Sequence, residues 1–138
     1  MVFQPQPRKH MTNEQDRNPN QGPLAGVRVV DLTSMISGPV ATMMLADQGA
    51  DVIKVEALEG DLVRGAGATR RGITSTFISS NRSKRALAVN LKTPEGVEAL
   101  KKVLQTADVM VQNFRPGGIE RMGFGEDIVR GLIEDIIF

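Results

Sequence analysis

The sequence contains no cysteine, no tryptophan and no tyrosine, and its only histidine is His10. Without cysteine there is neither a disulfide nor a Cys-ligated zinc, although this says little about compartment. His10 lies in a polar stretch, so neither a histidine metal site nor a Ser-His catalytic set is expected within the chain. Charge of one sign is also lacking. The formal net charge is +1, which supplies no global field for nucleic acid or an acidic membrane, so any anion site must be local. No apolar run approaches the roughly 20 residues of a membrane span. The N-terminus lacks the apolar core of a signal peptide, and a cytoplasmic protein is the default expectation. What remains is ordinary for a globular domain: 138 residues, 41% hydrophobic and 24% charged, enough for one domain with a real core.

Residues 1–22 are dominated by Gln, Asn, Pro and charge. They offer too little apolar area to offset their ordering entropy and read as a flexible polar tail. From Pro23 the pattern changes. Val27 to Val30, ending in Asp31, reads as a strand. Pro39 suits a first helical position and Gly49 a helix stop, bracketing one helix. DVIKVE (51–56) is a second strand, and the glycine-rich run from Ala57 to Thr76 reads as a long loop. RALAVNL (85–91) is a third strand. Thr93 caps a helix with Pro94 at its first position, and Val97, Leu100, Val103 and Leu104 share one face. DVMVQN (108–113) is a fourth strand, followed by short helices near 119–122 and 126–133 and the opening of a fifth strand at Ile136–Phe138. The alternation implies an α/β fold with a mostly parallel sheet and flanking helices, incomplete at the C-terminus. Ligands of such sheets sit beyond the carboxyl ends of the strands, here after Asp31, Glu56, Asn90 and Gln112.

Four segments at those places carry candidate chemistry. TSMISGPVAT (33–42) leads a strand into a helix through small residues and can leave N–H groups free for a phosphate, or be a simple turn. It has only Gly38 and no G-x-G-x-x-G; Glu56 matches the ribose-binding acid of NAD enzymes only weakly. RGAGATRRG (64–72) holds Gly65 and Gly67 without a third glycine in register, with Arg64, Arg70 and Arg71 as phosphate-type forks or a solvated charge run. In NRSKRALAVNLKTPEG (81–96), Lys92 stands at a helix N-terminus, where a cation is disfavoured unless an anion joins it. VMVQNFRPGGIERMGF (109–124) joins an amide, Asn113, to an apolar plate, Phe114, with Arg115 and Arg121 nearby. It reads equally as a connection or as an anion grip.

Taken together, PLAGVRVVDLT, GPVATMMLADQGADVIKVE, GD..RG, NRSKRALAVNLKTPEG and ADVMVQNFRPGGIERMGFG resemble the start of the class III CoA-transferase family, the CaiB/BaiF group of formyl-CoA transferases and α-methylacyl-CoA racemases. The resemblance implies a Rossmann-like large domain over residues 23–138 as the N-terminal part of a CoA-binding domain. It implies coenzyme A or acyl-CoA as substrate rather than a tightly bound cofactor, and a carboxylic acid as acceptor. Full-length relatives are interlocked homodimers. Carried over by position, the coenzyme A contacts fall at Ile36 and Ser37, at Val89 and Lys92, at Asn113 and Phe114, and at Arg121 and Met122. In the transferases an Asp carboxylate attacks the thioester through a mixed anhydride. That Asp is expected beyond Phe138, and Asp31, Asp47, Asp51 and Asp61 are not matches for it. A fragment without turnover of its own is therefore expected. The alternatives are a racemase or epimerase fragment, a non-catalytic nucleotide-binding module, and an NAD-type domain. The family's Arg after IKVE is replaced by Ala57, so a phosphate contact is missing or comes from Arg64, Arg70 or Arg71.

Overall fold

A computed structural model describes residues 22–138; the tail expected over 1–22 lies, apart from Gly22, outside the described residues. Four short strands form one parallel sheet: β1 (Arg28–Asp31), β2 (Asp51–Glu56), β5 (Arg85–Ala88) and β6 (Val109–Val111), in the order β5-β2-β1-β6. A two-stranded antiparallel hairpin, β3 (Thr69–Arg70) and β4 (Ile73–Thr74), stands apart from it. Val30 of β1 faces Ile53 on one side and Met110 on the other. The strand order therefore reverses beside β1, as in doubly wound sheets, whose ligand crevice opens at that reversal. The α/β, Rossmann-like expectation holds. The expected fifth strand is a single parallel bridge between Val109 and Ile137.

Side-chain alternation along the strands sends residues to two different interiors. Val30, Leu32, Val55 and Met110 join α3 (Pro94–Leu104), α4 (Gly118–Arg121) and α5 (Glu126–Leu132) in one core, built on the fully buried Leu100, Leu104, Phe124 and Val129. Ile133, just past α5, is buried in the same core. The opposite face meets α1 (Ser37–Asp47). There Val29 and Val52 pack with Ala46 and Ala50 at the amino end of the strands. Toward the carboxyl end that same face changes character: Asp31, Lys54 and Glu56 are all buried on it.

Local chemistry explains most boundaries. Thr93 accepts from the Gly96 N–H and caps α3 behind Pro94, as expected. Gly49 takes φ +97 just past the end of α1, a conformation that favours glycine. Pro39, by contrast, is the third helical residue rather than the first, because α1 starts at Ser37. It costs no hydrogen bond there, since the first turn has no intrahelical acceptors for its N–H groups. The loop expected over Ala57 to Thr76 is partly ordered. A 3-10 turn (Leu62–Arg64) and the β3–β4 hairpin lead into α2 (Ser75–Asn81), capped by Thr74 accepting from Phe77 N–H. The run of Ser, Thr and Asn in α2 favours caps and turns over helix interiors, which hid the helix from periodicity.

Gly96 is where α3 touches the turn after β5: a Cβ placed on it would stand 1.9 Å from the Asn90 carbonyl oxygen. Gly96→Ala should lower the unfolding free energy by about 1–3 kcal/mol, the usual overpacking range. Urea denaturation of the two proteins checks this. An unchanged midpoint would mean that the turn at 90–93 yields freely.

Candidate functional site

One cavity of about 390 Å³ opens at the carboxyl ends of the strands. Leu32, Thr33 and Ser34 after β1 line it, with Glu56 and the 57–62 loop after β2, Val89 to Lys92 after β5, and Phe114 and Met122 from beyond β6. Four of the eight residues carried over by resemblance, Val89, Lys92, Phe114 and Met122, meet on this wall. The other four do not line it. Ile36 and Ser37 form the exposed start of α1, Ile36 standing at the cap position with no side-chain cap. Arg121 is the exposed last residue of α4, with its guanidinium folded over Gly117. Asn113 is turned toward β1: its Oδ1 accepts from Ser34 N–H at 3.0 Å and its Nδ2 donates to Ser34 O at 2.9 Å. One amide proton and the remaining lone pairs are all it keeps for a ligand.

Behind the cavity runs a chain of buried charges. Lys84 and Asp31 form an ion pair at 2.9 Å, both side chains essentially inaccessible. Lys84 Nζ also donates to Pro39 O, Thr42 Oγ1 and Asn81 Oδ1, so its desolvated ammonium is surrounded by acceptors. Burial pushes the Lys84 ammonium below its ordinary value against the upward pull of Asp31. Asp31 in turn accepts from the N–H and hydroxyl of Thr33 and from Thr42. The carbonyl of the same Thr33 accepts from Lys54 Nζ, which pairs with Asp61 at 2.9 Å. That contact falls outside hydrogen-bond geometry and leaves Asp61 Oδ2 with a counter-charge but no donor. Asp61 N–H donates to Glu56 Oε2, and Arg64 clamps Glu56 with two bonds of 2.7 and 2.8 Å while lying over the Phe77 ring.

Burial would raise the Asp61 carboxyl, but the N–H of Val63, the Lys54 ammonium and the N–H of Met35 outweigh it, and the group is held below the usual aspartate range. Glu56 follows the same pattern: burial raises it, while the Arg64 side-chain bond and the Asp61 N–H bring it lower. Arg64 is thus committed to Glu56 and is not available to replace the missing phosphate contact at Ala57. Arg82 pairs with Asp47 and Arg85 with Asp51, so of the bases around β5 only Lys92 lacks an ion-pair partner among the described residues.

The segment 33–42 departs most from its phosphate-loop reading. Thr33 N–H is taken by Asp31, Ser34 N–H by Asn113 and Met35 N–H by Asp61 at 3.2 Å. Three amides that a phosphate would need already have protein acceptors, two of them carboxylates that repel an anion. The Gly65–Gly67 pair lies beyond the 3-10 turn and does not open a helix. Sequence reading missed Lys54 and Asp61 as parts of the site and weighed Glu56 only as a ribose-binding acid. For Lys54 and Glu56 the signal was present: charged residues at alternate positions of an otherwise apolar strand demand partners of opposite sign.

A parallel, doubly wound sheet with a cavity at its carboxyl edge defines a Rossmann-like α/β domain. The chain belongs to CoA-transferase family III, whose model matches residues 24–138. It is 43% identical over 109 residues to the succinyl-CoA–L-malate CoA-transferase beta subunit of Chloroflexus aurantiacus, covering 78% of this chain and 27% of that protein. It is also 43% identical over 121 residues to human succinyl-CoA:glutarate CoA-transferase, covering 86% and 28%. A CaiB/BaiF family crystal structure from Brucella suis superposes with a TM-score of 0.76 at 35% identity, covering 81% of this chain and 31% of that one. The chain spans less than a third of the length of these relatives.

The depressed carboxyls give a pH signature. Asp61 and Glu56 hold fewer protons folded than unfolded between their folded values and about pH 4. Their stabilisation is complete above that range and is lost as pH falls through the folded values. Unfolding free energy should be level from about pH 7 to 5 and decline below about pH 4. Asp61→Asn should start about 3–5 kcal/mol lower, because Lys54 loses its counter-charge, and decline less steeply. An undiminished acid slope in that variant would assign the pH dependence to other groups.

Proposed function

We propose that residues 23–138 are the coenzyme A-binding N-terminal part of the large domain of an acyl-CoA:carboxylate CoA-transferase. The observation that carries this reading is the single cavity on which Val89, Lys92, Phe114 and Met122 converge from two separate segments, after β5 and after β6. Coenzyme A offers phosphates, an adenine ring and a pantetheine arm. Lys92 is the cavity-lining base without a partner among the described residues, suited to a phosphate. Phe114 and Met122 present an apolar plate and a polarizable side chain suited to the ring. Arg121 is a second base for the phosphates if its guanidinium swings off Gly117. Coenzyme A is held as substrate rather than as a resident cofactor, and the acceptor is a carboxylic acid.

The transfer needs a carboxylate that attacks the thioester carbonyl and expels the CoA thiolate, giving a mixed anhydride. The thiolate then attacks the enzyme's own carbonyl and releases the donor carboxylate, leaving an enzyme-bound thioester from which the acceptor carboxylate takes CoA by the same steps in reverse. We place that nucleophile outside residues 22–138. Asp31, Asp47, Asp51 and Asp61 are all ion-paired, and Asp31 and Asp61 are also buried. Glu56 is held by Arg64. A carboxylate whose lone pairs are held by cations and N–H groups is a poor nucleophile. Glu59 lines the cavity without a cationic partner among the described residues, but it is exposed and hydrated. Assembly is proposed to follow the relatives, as an interlocked homodimer of the complete protein, in the cytoplasm. Among the described residues no helix is long and apolar enough to cross a membrane, and no cluster of potential metal ligands occurs. The occupied amides at Thr33, Ser34 and Met35 favour coenzyme A over a dinucleotide bound at the first strand-helix turn.

Titration calorimetry of the full 138-residue chain should give coenzyme A a dissociation constant on the order of 1 μM to 1 mM, the span of typical substrate constants, with NAD binding undetected. Lys92→Ala should weaken coenzyme A about tenfold, a charge-assisted bond being worth about 1.5–3 kcal/mol. Transfer from succinyl-CoA to a dicarboxylate should not exceed the rate without protein. NAD binding without coenzyme A binding would select a dinucleotide domain. Turnover abolished by Glu59→Gln would place the nucleophile inside this chain, and coenzyme A binding by a monomer that no partner chain activates would favour a non-catalytic module.

A further inference from the structure

The loop between β1 and α1 is held with unusual completeness. Across Thr33, Ser34 and Met35, five successive backbone polar groups are bound by four side chains. Asp31 holds Thr33 N–H and Lys54 holds Thr33 O. Asn113 holds both the N–H and the carbonyl of Ser34, and Asp61 holds Met35 N–H. At the end of this run Met35 has φ +69, a left-handed conformation that a side chain other than Gly, Asn or Asp rarely adopts. Such backbone persists only where its surroundings over-determine it. Here the surroundings are the loops after the two strands that flank β1: Asp61 reaches in from beyond β2 and Asn113 from beyond β6. Thr33, Ser34 and Asp61 are part of the cavity wall, whereas Asn113 is not.

We propose that Asn113 and Asp61 are positioning residues that pinch Ser34 and Met35 from opposite sides into the one backbone conformation in which Thr33 and Ser34 form the ligand wall. On this view Asn113, placed among the ligand contacts by resemblance, acts on the ligand through Ser34. Asp61 does the same through Met35 while closing the 57–62 loop against it. The ligand arm of the test rests on the coenzyme A reading; the backbone arm does not.

The experiment separates holding the loop from touching the ligand. Asn113→Ala and Asp61→Ala, which remove the acceptors outright, are each combined with Met35→Asn and with Met35→Gly, residues that take φ > 0 readily. Hydrogen exchange of residues 34–36 and the dissociation constant for coenzyme A are measured on the full chain. The single variants should exchange faster at 34–36. If the competent loop falls to about a tenth of the population, coenzyme A should bind about tenfold more weakly. Adding either substitution at Met35 should restore both protection and affinity to within about threefold, a difference under about 0.7 kcal/mol.

Restored protection without restored affinity would overturn the proposal, returning Asn113 to direct ligand contact or assigning that role to Asp61. Unchanged exchange in both single variants would overturn it outright. If no form binds coenzyme A, the reading of the cavity fails, and the exchange data alone decide whether the pinch exists.

Discussion

A charge moved into a protein interior must find its opposite there, and this requirement organises the carboxyl edge of the sheet. Asp31, Lys54 and Lys84 lie where neither ammonium nor carboxylate can be hydrated. Lys84 crosses 53 positions to reach Asp31, whereas Lys54 meets Asp61 in the loop that follows its own strand. Thr33 links the two pairs, donating to the carboxylate of one and accepting from the ammonium of the other. Replacing such pairs with apolar residues is often neutral or favourable for stability, so their worth lies in the geometry they impose. The geometry here is that of the loops that make the cavity.

The same requirement divides the sheet's α1 face into two zones. Near the amino ends of the strands, Val29, Val52, Ala46 and Ala50 make an apolar contact tolerant of small shifts. Near the carboxyl ends the contacts are directional, and a shift of one residue would strand a charge. Register is therefore specified most tightly beside the cavity.

Sequence alone reached the parallel α/β architecture because its signals are local: β-branched runs, the Thr93–Pro94 start, and the stop at Gly49. Four cavity residues were found through the order of matching segments, since no spacing rule brings Val89 and Met122 together. The misses have physical causes. Helix α2 is built from Ser, Thr and Asn, and its stability comes from the Thr74 cap and from tertiary contacts that propensity does not register. The role of Asn113 depends on a partner 79 positions away. Nothing in the sequence separates Lys84 from its neighbours Arg82 and Arg85, because burial is a property of the fold and not of the neighbouring letters.

The place of β1 between β2 and β6 also has a consequence for the order of assembly. The residues that close the second edge of the strand come about 80 positions after it, at Val109 to Val111. Until that segment leaves the ribosome, Val29 and Val30 present an apolar strand with open N–H and C=O groups, a template for wrong pairing. Bringing such distant partners together is slow compared with forming the helices between them. During that interval the exposed template is a strand that becomes interior in the finished sheet.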